Sequence, residues 1–125
     1  MQVMPEEERL EALVENYEVL EDATNLLRLC DAGLSLNPEN AYFHFERGLA
    51  LSRVERFQEA NTEFGDVVRL VPDDPRGYYF RALTYLDLGQ EELAAPDFAK
   101  AKEIDPEFDA DALDEVEDEG EEPAG

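Results

Sequence analysis

His44 and Cys30 are the chain's one histidine and one cysteine. Nucleophilic catalysis needs a thiol or hydroxyl within hydrogen-bond reach of a base, itself oriented by a third group. These two residues fall in separate segments, each at a position that reads as packing, so both are assigned to the core. One cysteine allows no intramolecular disulfide, and nothing points to an oxidising compartment. No glycine-rich phosphate loop occurs. The chain has 33 carboxylates, but residues 105–120 lack the glycine and closing glutamate of a calcium loop. Weak, non-specific divalent binding by the acidic tail is the most they suggest. No catalytic residue, cofactor or metal site is expected.

The charge balance excludes further classes. With 10 bases against the acids, the formal net charge is -23. Phosphate backbones and anionic membranes bind Lys/Arg-rich surfaces and repel such a chain. Hydrophobic residues make up 43% of 125 residues, enough for the core of one ordinary domain. The N-terminal stretch has neither a basic start nor an unbroken apolar run. No segment approaches the roughly 20 apolar residues that cross a bilayer. A soluble, cytoplasmic protein is the expectation.

The elements that must position any site follow from a period. Pro38, Pro72 and Pro106 are 34 residues apart, as are Phe64 and Phe98, Ala60 and Ala94, and Leu70 and Ile104. Each unit reads as two helices. Pro5 before Glu6, Glu7 and Glu8 starts the first, since proline suits the first turn and carboxylates favour the positive end of the helix dipole. Ala23, Leu26, Leu27, Cys30 and Leu34 carry the second, which Asn37-Pro38 ends. Asn40 caps a third helix, and a fourth covers about Phe57 to Leu70. Asp74-Pro75 opens a fifth that Gly89 closes, and a sixth covers about Glu91 to Ile104. Pro96 predicts a bend or a later start in the last. No segment sustains a period of two, so the fold class is all-α. The first unit fits the same register through the sets Leu10, His44, Tyr78; Val14, Gly48, Ala82; Tyr17, Leu51, Tyr85; and Cys30, Phe64, Phe98.

This pattern resembles the tetratricopeptide repeat family, whose repeats are helix pairs with small residues at the contact and a closing proline. Gly48 and Ala82 match the small site of the first helix, and Ala60 and Ala94 that of the second. Phe64 and Phe98 match the adjacent large residue. Departures are His44 where an aromatic is usual, Arg47 and Arg81 where leucine is usual, and Glu91 opposite Phe57. The resemblance implies a right-handed α-solenoid of three repeats, about 7–40, 41–74 and 75–106, with a capping helix about 106–117. Together, 1–117 form one domain, and 118–125 form a disordered acidic tail.

The resemblance also implies a concave groove lined by the first helix of each pair. Its positions here are Tyr42, Phe45, Leu49, Ser52 and Arg53, then Arg76, Tyr79, Leu83, Leu86 and Asp87. Glu8, Glu11, Glu15 and Glu18 form an acidic mouth. The Lys, Arg and Asn set with which the family holds a terminal carboxylate is missing. The expected function is a non-catalytic interaction module binding a peptide or helix of another protein, with a basic residue favoured at the mouth. Two alternatives are an acidic chaperone or inhibitor shielding a basic or aggregation-prone client, and a self-assembling subunit whose groove takes a second copy, giving a homodimer. Neither nucleic acid nor membrane is an expected partner.

Overall fold

The computed structural model describes residues 5–20 and 23–108, with the backbone alone for 16–20. Six helices follow one another: α1 Glu6–Leu20, α2 Ala23–Leu36, α3 Ala41–Arg53, α4 Phe57–Leu70, α5 Pro75–Asp87 and α6 Glu91–Ile104. Among the described residues there is no strand, and no helix is long and apolar enough to cross a membrane. Each helix packs on its neighbours in sequence, and α1 also touches α3. The fold is an all-α solenoid of helix pairs.

The 34-residue spacing of the prolines has a local cause. The amide of Asn40 donates to the carbonyl of Asn37, that of Asp74 to Val71 and that of Phe108 to Asp105, at 3.1, 3.0 and 2.9 Å. Each is a four-residue turn with Pro38, Pro72 or Pro106 second, where the fixed φ of proline is already correct. The residue ending the turn caps the next helix. Asn40 Oδ1 accepts from the amides of Tyr42 and Phe43, and Asp74 from that of Arg76. Asn40 also works backwards, its Nδ2 donating to Glu7 and Glu11 of α1.

The turns inside the second and third repeats are copies too. Arg56 N–H donates to Leu51 C=O and Gln90 N–H to Tyr85 C=O, at 2.9 and 2.8 Å, the long bond of a Schellman-type helix end. The residue before each takes a left-handed conformation: Gly89 at φ 77° and its 34-residue counterpart Glu55 at φ 63°. Glycine is suited to this conformation, and glutamate is strained in it.

Small residues set the spacing between helices. A Cβ on Gly48 would lie 2.7 Å from the ring of Phe64, and one on Gly33 would collide with the ring of Phe43. Backbone and aromatic ring are therefore in direct contact at both sites. The buried residues form one cluster around Val14, Leu26, Cys30, Phe43 and Ala50 and another around Leu51, Ala60 and Phe64. Cys30 is fully buried as expected, and burial, then Glu46 and Asp31, push its thiol up to about 12, leaving it unreactive. The last helix, α6, spans Glu91 to Ile104 as the spacing predicts, so Pro96 brings no later start. Pro96 is exposed, so its ring meets solvent and not a neighbouring helix. Beyond Phe108 the expected capping helix and the tail lie outside the described residues.

The two arginines that replace leucine each pair with the acid 16 residues later. Arg81 Nε and Nη2 donate to both oxygens of Asp97 at 2.7 and 2.9 Å. Arg47 Nη1 donates to Glu63 at 2.7 Å, and its Nε to Asp31 of the preceding pair at 2.8 Å. Both pairs span 16 residues and are equivalent under the 34-residue shift. In the first repeat the same positions carry Leu13 and Leu29.

Two measurements test these assignments. Glu55→Gly is expected to raise unfolding stability by about 1 kcal/mol in urea denaturation, by removing the left-handed strain; no gain would contradict that strain. Asp97→Leu alone is expected to lower stability by about 1–3 kcal/mol, because the partly exposed Arg81 loses its hydrogen-bond partner. The double change Arg81→Leu/Asp97→Leu should return to within about 1 kcal/mol of the parent.

Candidate partner groove

The first helices of successive pairs, α1, α3 and α5, touch through a few side chains. Asn40 ties α1 to the start of α3, and two contacts tie α3 to α5. The rings of Phe45 and Phe80 meet edge to face at 5.3 Å, and the guanidinium of Arg76 sits 5.4 Å above the ring of Phe45. The rings then continue as a ladder. Phe64 lies 5.8 Å from Phe45 and 5.7 Å from Phe80, while Tyr79 lies 5.3 Å from Phe80, 5.4 Å from Phe98 and 5.5 Å from Phe108. Edge-to-face packing of this kind adds about 0.5–1.5 kcal/mol per pair beyond area burial and fixes ring orientation.

The expected groove residues divide into three groups. Tyr42, Phe45, Leu49, Tyr79 and Leu83 are half-buried, and Leu86 is 43% exposed. Arg53 is exposed. Arg76 is already occupied, since its Nη2 lies 2.7 Å from Asp74 Oδ2 while its plane covers Phe45. At the mouth, Glu8 and Glu15 are exposed, and Glu11 accepts from Asn40 at 2.8 Å. The side chain of Glu18 lies outside the described residues.

Sequence reasoning missed Phe80 and Glu46 here. Phe80 is the link between Phe45 and Tyr79, and Glu46 occupies the same repeat position one unit earlier. Glu46 is only 6% exposed and acts electrostatically on both Cys30 and Arg76. The register could have found both, because they directly follow the assigned Phe45 and Tyr79. Phe108 falls in the segment expected to cap the last repeat. It occupies the repeat position of the caps Asn40 and Asp74, but places a ring on Tyr79.

Facing away from this groove, His44 is buried as expected, yet its surroundings are polar. Nδ1 lies 2.7 Å from Glu63 Oε1, and Nε2 lies 2.8 Å from the carbonyl of Pro38. The Glu63 hydrogen bond raises its pKa above the ordinary histidine value, against the opposing effect of burial. Asp74 is displaced the other way, its carboxyl held below the usual range by the hydrogen bond from Arg76.

A stack of like helix pairs, joined by proline turns 34 residues apart, defines a helical repeat solenoid. The comparisons agree. A profile of the tetratricopeptide repeat matches residues 75–108. Human serine/threonine-protein phosphatase 5 is 31% identical over 108 residues, covering 84% of this chain and 21% of that protein. The heat shock protein sti1 homolog of Schizosaccharomyces pombe is 32% identical over 89 residues, covering 71% of this chain and 15% of that protein. The chain thus spans about a fifth or less of the length of these curated relatives. Among solved structures, MamA MSR-1 C2 superposes with a TM-score of 0.74 at 28% identity, over 80% of this chain and 57% of that one. The chain belongs to the tetratricopeptide repeat family, and its repeats make it a protein–protein interaction module.

Asp74 offers a test with a defined sign. A depressed carboxyl contributes stability that is present above the unfolded-state pKa and is lost as pH falls through the folded-state value. Asp74→Ala is therefore expected to lower stability by about 1 kcal/mol at neutral pH. The gap should begin to narrow at about pH 4 and shrink further as pH falls, measured by urea denaturation of both proteins across pH. A gap that persists unchanged in acid would show that the Asp74 charge plays no part.

Proposed function

We propose that this chain is a non-catalytic module that holds a peptide or helical segment of another protein along α1, α3 and α5. The observation that carries the reading is the row Leu49, Phe45, Phe80, Leu83 and Leu86. It is apolar, pre-ordered by the ring ladder, and open toward Leu86. An amphipathic helix lays its apolar face into a row of this kind through anchors at helical spacing. Arg53 beside the row and the exposed Glu8 and Glu15 at the other end favour a ligand with a basic N- or C-terminal flank at the glutamates. The single thiol, buried and unreactive, suits work in a reducing compartment such as the cytoplasm.

The net charge of -23 favours a second reading, in which the acidic surface as a whole shields a basic client. The two differ in salt dependence, because exposed charge attraction is screened as the Debye length falls from about 10 Å at 0.1 M to about 3 Å at 1 M. The test is selection from a library of basic amphipathic helical peptides, followed by anisotropy titration against the parent and Leu83→Ser/Leu86→Ser at both salt concentrations. Groove binding predicts at least about tenfold weaker binding by the variant, the equivalent of 1.4 kcal/mol. It also predicts that much of the parent's affinity survives 1 M salt. Affinity lost to salt and untouched by the variant would move the function to the acidic surface.

A further inference from the structure

One cluster lies outside the groove and has no role in that reading. His44 on α3 faces Glu63 and Asp66 on α4, and one donor atom from each lies within 4.8 Å of the others. Glu63 and Asp66 are three apart on one helix and so share a face. His44 approaches from the neighbouring antiparallel helix, the arrangement by which helical bundles build metal sites from facing helices.

Each side chain is oriented from behind. His44 Nε2 lies 2.8 Å from the Pro38 carbonyl, which turns Nδ1 toward the carboxylates at 2.7 Å from Glu63 Oε1 and 3.6 Å from Asp66 Oδ2. Glu63 keeps its other oxygen on Arg47 at 2.7 Å, and Asp66 Oδ1 receives Arg69 at 3.4 Å. Metal-binding histidines characteristically donate their second N–H to a carbonyl or carboxylate, and binding carboxylates are themselves hydrogen-bonded. The His44 and Glu63 side chains are nearly buried, while that of Asp66 is 32% exposed, which leaves an entry path from solvent.

We propose that His44 Nδ1, Glu63 Oε1 and Asp66 Oδ2 form a binding site for a divalent transition metal of the zinc type. One nitrogen and two carboxylate oxygens suit zinc and its first-row neighbours better than calcium or magnesium, which take oxygen ligands. Three protein ligands leave a fourth position for water on the Asp66 side. The metal takes the place of the proton now shared between Nδ1 and Glu63, and that proton leaves to solvent. Its effect is to fasten α3, α4 and the Pro38 turn together.

The experiment uses the full chain, stripped with chelator, and titrates Zn2+ by calorimetry alongside Asp66→Asn and His44→Gln. The 15N resonances of the imidazole provide a second readout, unambiguous because the chain has one histidine. The expected result is one equivalent of Zn2+, a large shift of Nδ1 with Nε2 still protonated, and at least about tenfold weaker binding in Asp66→Asn. Asp66→Asn changes a partly exposed side chain and should remain folded, which circular dichroism checks. Zn2+ binding of equal strength in both variants would assign the ion to the acidic residues at large and overturn the site. So would the absence of a stoichiometric event or of any imidazole shift.

Discussion

The contact of the Phe64 ring with the bare backbone of Gly48 sets the distance between α3 and α4, and the rest of the stack depends on that distance. A side chain at position 48 would separate the helices or displace the ring, and either change reaches the groove. Phe64 also touches Phe45 and Phe80, so its seat fixes where those two rings present themselves. The core contact and the lined face are two sides of one packing event.

Around that apolar contact the chain uses charge in an ordered way. Arg47 and Arg81 stand where a leucine would complete an apolar helix pair, and each is matched by an acid 16 residues later. A buried ion pair is weak as a source of net stability, because desolvation offsets most of the attraction. It is strong as a determinant of register, since a slipped helix would leave a guanidinium unpaired. In a chain with so many carboxylates, these pairs also place arginine where it neutralises acids inside the stack.

Much of the architecture was legible in the sequence. The prolines, Asn40, Asp74 and Gly89 act through local backbone geometry, which residue type and spacing encode directly, and the helix limits follow from them. The left-handed Glu55 was not legible by type, because glutamate gives no sign of it; only its register with Gly89 does. The polar setting of His44 was equally hidden. It depends on side chains 19 and 22 positions away on another helix, and spacing alone does not say which rotamers meet. For the proposed groove, the family resemblance supplied the positions, and spacing says nothing of which side chains are already engaged. Arg76 reads as free until Asp74 and Phe45 are placed around it.

The divided amide of Asn40 has a kinetic consequence. Its oxygen starts α3 while its nitrogen holds α1, so the start of one repeat is chemically conditional on the repeat before it. Coupling in this molecule passes from neighbour to neighbour, and described side-chain hydrogen bonds reach at most 33 residues along the chain. Such a chain folds like a zipper with several possible starting points, not around one long-range nucleus, and low contact order of this kind belongs to fast folding. Loosening should spread inward from an end, one helix pair at a time, and the aromatic ladder between the second and third repeats should be the last part to open.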